Sequence, residues 1–380
     1  MTDPVFIPDH FPTVEAVGSH DLIGRSEFLR QMDFMMRDRK PALLVGPRRI
    51  GKSSVAMNVI AGLETSGWKG ALIDLRNLPT MQSFISSFFD TTCGLLSPGA
   101  GLWEQLRRGG RRIGAGITFK PLGPLVDIGV KLATEDLALA DQLNEVLRLP
   151  ALAARQAKTS VVIALDEFQL AHHLNGLEEA LITTLKHHSQ NVSWLFLGSQ
   201  ASLLREMFGK ERSPLYKAAT ELIVPDPSSD EWEAYLSRKY SQAGISATPG
   251  ALVAVVRATG GHPHSTMSVA AQIYQQCVLD KRTIIGLAEV DAAIAQTVAG
   301  LKIAYDRDWL DLTRGGHILA QRLALGTEVY GGGLDKAEKQ AVKRALTSLT
   351  GEGTLIPGKR GEYRMRDALF LDYVGRFRLP

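Results

Sequence analysis

Four short apolar runs rich in β-formers punctuate the first 200 residues, at 42–45, 71–75, 161–165 and 194–197, and a weaker fifth lies at 221–224. Each is brief and apolar throughout, the signature of a strand buried on both faces. Between them, apolar positions recur at helical spacing over 53–63, 81–91, 177–187 and 202–208. Strands alternating with helices predict an α/β fold with a parallel sheet covered on both sides.

The pattern changes after residue 225. Pro225, Asp226, Pro227, Ser228, Ser229 and Asp230 form a turn-rich cluster that closes one unit and caps a helix starting near Glu231. Helical spacing then continues to about residue 301, broken at 248–250 and 259–263, which predicts a small helical lid. Two further helices follow at 313–325 and 335–349. Short runs at 354–356 and 362–365 flank Pro357, Gly358, Lys359, Arg360 and Gly361. Helix, helix and hairpin together predict a winged helix with a basic wing tip. The expected partition is a core over 1–225, a lid over 226–301 and a winged helix over 302–380. Residues 94–135, rich in Gly and Arg, fit the alternation worst and read as an insertion, compatible with a surface excursion or with a basic face for nucleic acid or anionic lipid.

Composition adds limits. Of the 380 residues, 45% are apolar and 22% charged, an ordinary globular balance, and the length favours more than one core. A net charge of +3 argues for no polyanionic partner by itself. The residues from 311 onward carry 12 Lys and Arg against 8 Asp and Glu, which permits DNA binding without demanding it. Cys93 and Cys277 lack metal-like or disulfide-like spacing and suit a reducing cytoplasm. The first 20 residues lack the basic start and apolar run of a signal peptide. No run reaches the roughly 18 apolar residues of a spanning helix. The histidines at 172–173, 187–188, 262 and 264 have no carboxylate or thiol partners at ligand spacing, so they carry no metal reading.

The chemistry concentrates after the first strand. Gly46, Pro47, Arg48, Arg49, Ile50, Gly51, Lys52 and Ser53 match the P-loop pattern between a predicted strand and a predicted helix, with Ser54 next in line. In such a loop backbone N–H groups turn inward around phosphates, the lysine reaches the β- and γ-phosphates and the serine offers an oxygen to Mg²⁺. The ligand expected is Mg·ATP, with Mg·GTP as the alternative. Residues 161–165 run into Asp166 and Glu167, the arrangement of a Walker B strand: Asp166 would hold Mg²⁺ through water and Glu167 would activate the attacking water. A further strand ends at Gly198, Ser199 and Gln200, where Gln200 or Ser199 could sense the γ-phosphate. Arg212, before Ser213, Pro214, Leu215 and Tyr216, is a candidate arginine finger, acting in cis or, in a homo-oligomer, in trans.

The order of these motifs is more specific than any one of them. Leu22-Ile23-Gly24-Arg25-Ser26-Glu27, the P-loop, Asp166-Glu167-Phe168, Gly198-Ser199, Ser213-Pro214-Leu215-Tyr216, Gly261-His262-Pro263 and the segment from Asp367 to Val374 together resemble the archaeal-type ATPase family, of the STAND branch of AAA+ proteins. The resemblance implies that Ile23 and Gly24 line the adenine pocket and that His262 and Pro263 contact the nucleotide. From His264 to Asp280 there is no Arg or Lys, so the sensor arginine of ordinary AAA+ proteins is missing. That favours a switch over a processive motor.

The expectation is therefore an ATPase in which ATP, held between core and lid, fixes the orientation of the winged helix and slow hydrolysis resets it. Two alternatives stay open: an ATP-regulated DNA-binding protein of initiator or transposition type, and an ATP-controlled protein scaffold in defence. In the DNA reading Lys336, Lys339, Lys343 and Arg344 would enter the major groove while Lys359 and Arg360 touch phosphates.

Overall fold

A computed structural model describes residues 3–14, 16–95, 138–187, 190–359 and 361–379. The chain divides into two compact units: Glu27–Val45 with Lys52–Ile223, and Met1–Ser26 with Gly46–Gly51 and Val224–Pro380.

The first of these is the α/β unit. Its strands β1 (Ala42–Val45), β2 (Lys69–Asp74), β3 (Val161–Asp166), β4 (Val192–Gly198) and β5 (Thr220–Ile223) form one parallel sheet in the order β2-β3-β4-β1-β5. Helices α1 (Ser26–Arg37), α2 (Lys52–Glu64), α3 (Met81–Gly94), α4 (Leu139–Ala157), α5 (Leu177–His187) and α6 (Ala201–Gly209) cover it. The strands β1, β3 and β4 are buried at every position, which is why they read as unbroken apolar runs. Phe84, Phe88, Phe168, Trp194 and Phe196 fill the core on one side, with the Phe168 and Phe196 rings 4.6 Å apart.

Parallel pairing brings the strand ends that matter to one edge. β4 lies between β1 and β3, pairing Leu195 with Ala42 on one side and with Ala164 on the other. The carboxyl ends of these three strands are therefore neighbours, the place where open α/β sheets bind ligands. β4 begins two residues earlier than its apolar run suggests because Ser193 is buried and donates its hydroxyl to the Met36 carbonyl. β2 likewise extends back to Lys69 through pairing with Val161. Gly70 is required there: a Cβ would lie 2.3 Å from Ile60 Cγ2.

The second unit contains α7 (Ser229–Gln242), α8 (Ala251–Thr259), α9 (Pro263–Leu279), α10 (Leu287–Gly300), α11 (Lys302–Leu310), α12 (Arg314–Ala324), α13 (Lys336–Gly351) and α14 (Ala368–Phe377). Ser228 and Glu231 close a reciprocal capping box on α7, as the turn-rich cluster predicts. The hairpin is present as β8 (Leu355–Pro357) against β9 (Tyr363–Met365), antiparallel. A parallel pair, β6 (Ser246–Ala247) with β7 (Ile284–Ile285), has no sequence signature because each strand is two residues long. One apolar core runs through this unit, from Trp232, Tyr240 and Ile273 to Tyr305, Leu319, Leu369 and Tyr373. Phe11 joins it, and the N-terminal segment is tied down where the Ile7 N–H donates to Tyr274 Oη at 2.6 Å. The insertion expected at 94–135 falls, beyond Leu95, outside the described residues, as does Arg360.

Candidate nucleotide site

In the α/β unit the P-loop lysine and serine open α2. Lys52 is 5% exposed, and Ser53 donates its Oγ to Asp166 Oδ2 at 2.5 Å. Asp166 ends β3 and is 3% exposed. Burial pushes its carboxyl pKa above the usual range, while hydrogen bonds from Ser53 and from the Glu167 main chain oppose this, with Lys52 adding a smaller attraction. The Glu167 N–H donates to Asp166 Oδ1 at 2.8 Å. Two hard oxygen donors side by side, one a buried carboxylate, fit a divalent cation that takes few protein ligands and keeps its waters, as Mg²⁺ does. No group of three or more His, Cys, Asp or Glu that could cage a metal exists among the described residues.

Glu167 follows the strand in left-handed backbone conformation, φ 52°, which turns the chain into the tight helical turn Phe168–His173. Its Oε2 accepts from Gln169 Nε2 at 2.5 Å and from Ser199 Oγ at 2.8 Å. Ser199 is 7% exposed, whereas Gln200 is exposed. Of the two candidates at the end of β4, Ser199 is thus the one that meets Glu167. Arg212 is exposed in the turn after α6, whose base is fixed by buried Leu215 and by Ser213 Oγ donating to the Met207 carbonyl.

The loop residues Gly46–Gly51 belong to the second unit, where Arg25 braces them. Arg25 is 2% exposed; its Nη2 donates to the Ile50 carbonyl at 2.5 Å and its Nε to the Pro225 carbonyl at 3.2 Å. Burial lowers its pKa to about 10, with Asp226 opposing the shift. Gly51 has φ +93°, and a Cβ there would meet Arg25 Nη1 at 2.5 Å, so a side chain is excluded twice over. Gly24, φ +67°, is equally closed by Glu231, whose Oε2 lies 2.5 Å from a Cβ position. Ile23 packs against the apolar core of this unit.

His262 N-caps α9 and is 3% exposed. Its Nδ1 is 3.1 Å from Ser265 Oγ and its ring also hydrogen bonds the Arg48 main chain. Burial lowers its pKa, so the neutral ring is favoured. Pro263 occupies the first turn of α9, where its missing N–H costs nothing. Ser265 Oγ donates onward to Asp367 Oδ1 at 2.7 Å, and Tyr305 Oη to Asp367 Oδ2 at 3.1 Å. The two loop arginines pair with carboxylates of α11 and its C-cap: Arg49 lies 3.6 Å from Asp308, and Arg48 lies 3.6 Å from the C-cap Asp311 and 4.0 Å from Asp308.

The sequence singles out the loop, Asp166, Glu167 and His262; the structure adds hydrogen bonds or ion pairs to these from Arg25, Gln169, Asp308 and Asp311, which the sequence does not mark as candidates. Arg25 stood inside a motif already singled out, and Gln169 two residues beyond Glu167; nothing in the sequence marks the two aspartates.

No family model matches the chain, and no curated protein matches it in sequence. Solved structures do. A Walker-type ATPase of Pyrococcus abyssi superposes with TM-score 0.68 at 18% identity, covering 96% of this chain and 99% of that one. The Orc2 protein of Aeropyrum pernix, solved as ADPNP–ADP complexes, superposes with TM-score 0.59 at 14% identity over 93% of this chain and 92% of its own. Cdc6p from Pyrobaculum aerophilum gives TM-score 0.50 at 13% identity, over 98% and 97%. The fold along nearly the whole chain is that of the P-loop ATPases.

Proposed function

With the fold of a Walker-type ATPase as premise, we propose that this chain binds and hydrolyses Mg·ATP and belongs to the archaeal-type ATPases. The observation that carries the reading is the convergence of Ser53, Asp166 and Glu167 at the carboxyl edge of the parallel sheet. Ser53 and Asp166 would hold Mg²⁺, which when bound would neutralise charge on the phosphates. Lys52 would contact the β- and γ-phosphates, and Glu167 would orient the attacking water and take its proton. Replacing Lys52 with alanine is expected to weaken Mg·ATP binding by at least tenfold, about 1.4 kcal/mol, in calorimetry. Unchanged affinity would show that the loop is not the phosphate site.

We further propose that nucleotide state is transmitted to the C-terminal segment as a switch. Supporting this, the loop arginines are paired with carboxylates of α11 and its C-cap, and His262 joins the loop main chain to α9 and, through Ser265, to Asp367 at the start of α14. An arriving γ-phosphate would compete with Asp308 and Asp311 for Arg48 and Arg49, a differential contact of the kind a switch needs. In this reading 226–301 acts as the lid and 302–380 as a winged helix. Cys93 and Cys277 are buried free thiols, in keeping with a cytoplasmic location, and no described helix is long and apolar enough to cross a membrane.

DNA is the partner that one observation favours. Lys336, Lys339, Lys343 and Arg344 are all exposed on α13, and Lys359 is exposed at the hairpin tip. Duplex binding through these side chains predicts affinity that falls steeply between 50 and 200 mM salt, and Lys343→Ala is expected to flatten the log–log slope by about 1. Salt-titrated gel shifts measure both; absence of binding at low salt would leave a protein as the partner.

A further inference from the structure

We infer that Gln169 is a positioning residue for the hydrolytic step, clamping Glu167 together with Ser199; the inference rests on the ATPase reading above. Gln169 is 3% exposed, and its Nε2 reaches Glu167 Oε2 at 2.5 Å and Ser199 Oγ at 3.3 Å. Ser199 Oγ donates to the same Glu167 oxygen at 2.8 Å. The amide orientation follows from the chemistry, since a carboxylate next to an amide oxygen would repel it. Both donors converge on Oε2. The second carboxylate oxygen is left to take the proton of a water.

The donor end of the Gln169 amide is committed to Glu167 and Ser199, and among the described residues its buried Oε1 has no hydrogen-bond partner. Space for this amide is made by Gly198 at the end of β4: a Cβ there would lie 2.5 Å from Gln169 Oε1 and 2.6 Å from Leu204 Cδ1. Gly198, Ser199 and Gln169 therefore form one device around Glu167. The left-handed backbone at Glu167 sets where its side chain leaves the main chain, and the two donors fix the carboxylate at its end.

Removing a donor leaves the carboxylate less well oriented, which lowers the chemical step without touching the phosphate contacts that hold ATP.

The test is steady-state ATP turnover by the full chain, with binding of a fluorescent ATP analogue measured beside it. Gln169→Leu, similar in volume and without a donor, is expected to lower kcat by about 10- to 100-fold and to leave KM and analogue affinity within about threefold. Ser199→Ala, which deletes one hydroxyl and so tests the clamp should the leucine variant fail to fold, is expected to show the same pattern at about 3- to 10-fold. Wild-type kcat in Ser199→Ala or in folded Gln169→Leu would overturn the clamp while leaving the ATPase reading standing. A loss confined to KM would also overturn it. No turnover by the wild-type chain would overturn the ATPase reading, and the clamp with it.

Discussion

Glu167→Gln is expected to lower kcat for ATP hydrolysis by about 10²- to 10³-fold, roughly 3–4 kcal/mol of transition-state stabilisation, while Mg·ATP still binds. The asymmetry of the hydrogen bonds is the reason. Glu167 Oε2 accepts from Gln169 and Ser199, and a glutamine carbonyl oxygen can accept from both just as well. The substitution therefore keeps the anchored half of the side chain and replaces only the free half, turning a proton acceptor into an amide donor. Asp166 would not give so clean a result, because it bonds Ser53 and the Glu167 main chain at once, and its loss would disturb the loop lysine and serine as well. Single-turnover hydrolysis with analogue binding in parallel checks the prediction. Wild-type kcat in Glu167→Gln would remove this residue from the mechanism; loss of binding would make it a ligand-holding group instead.

What the sequence disclosed and what it withheld divide along a physical line. The strands β1 and β3 and the helix α5 were legible to within a residue, because burial on both faces or on one stripe writes itself into consecutive positions. The P-loop pattern and the Asp166-Glu167 pair stand out for a related reason, since each is a run of adjacent residues, whereas the hydrogen bond that joins Ser53 to Asp166 spans 113 positions. Four helices were not read, α11 and α14 of the second unit and α1 and α4 of the α/β unit. α1 buries Met32, Met35 and Met36 at helical spacing, but its apolar stripe is short and Phe34 on the same stretch is exposed. α4 carries Pro150 in its interior, a residue that argues against a helix, and tertiary burial of Leu143, Leu147 and Ala154 overrides it. Gln200 and Ser199 could not be separated because adjacent residues at a strand end face opposite ways, and only the position of Glu167 decides which way matters. The contributors missed altogether act across long sequence separations, Arg25 on Pro225 and Arg49 on Asp308, and no periodicity reports such pairings.

Arg25 yields the other large effect. Its guanidinium is buried between two carbonyls, those of Ile50 and Pro225, so it fixes the last turn of the loop before Lys52 to the segment that leaves the sheet. Arg25→Ala would leave both carbonyls without a donor, at about 1–3 kcal/mol each, and would free the Gly51 turn. The expected outcome is a 10- to 100-fold rise in the Kd for Mg·ATP, about 1.4–2.8 kcal/mol, together with a lower thermal midpoint. Arg25→Lys should recover only part of this, because one ammonium cannot reproduce a planar fork that reaches two acceptors. Gly51→Ala reaches the same end from the other side: its methyl would displace Arg25 Nη1 and would be held at a φ of +93°. If the three variants weaken binding in the order alanine at 25, alanine at 51, lysine at 25, the brace is what presents the loop to phosphate. Binding within twofold of wild type in Arg25→Ala would show that the loop holds its shape unaided, and the buried guanidinium would then be part of the fold alone.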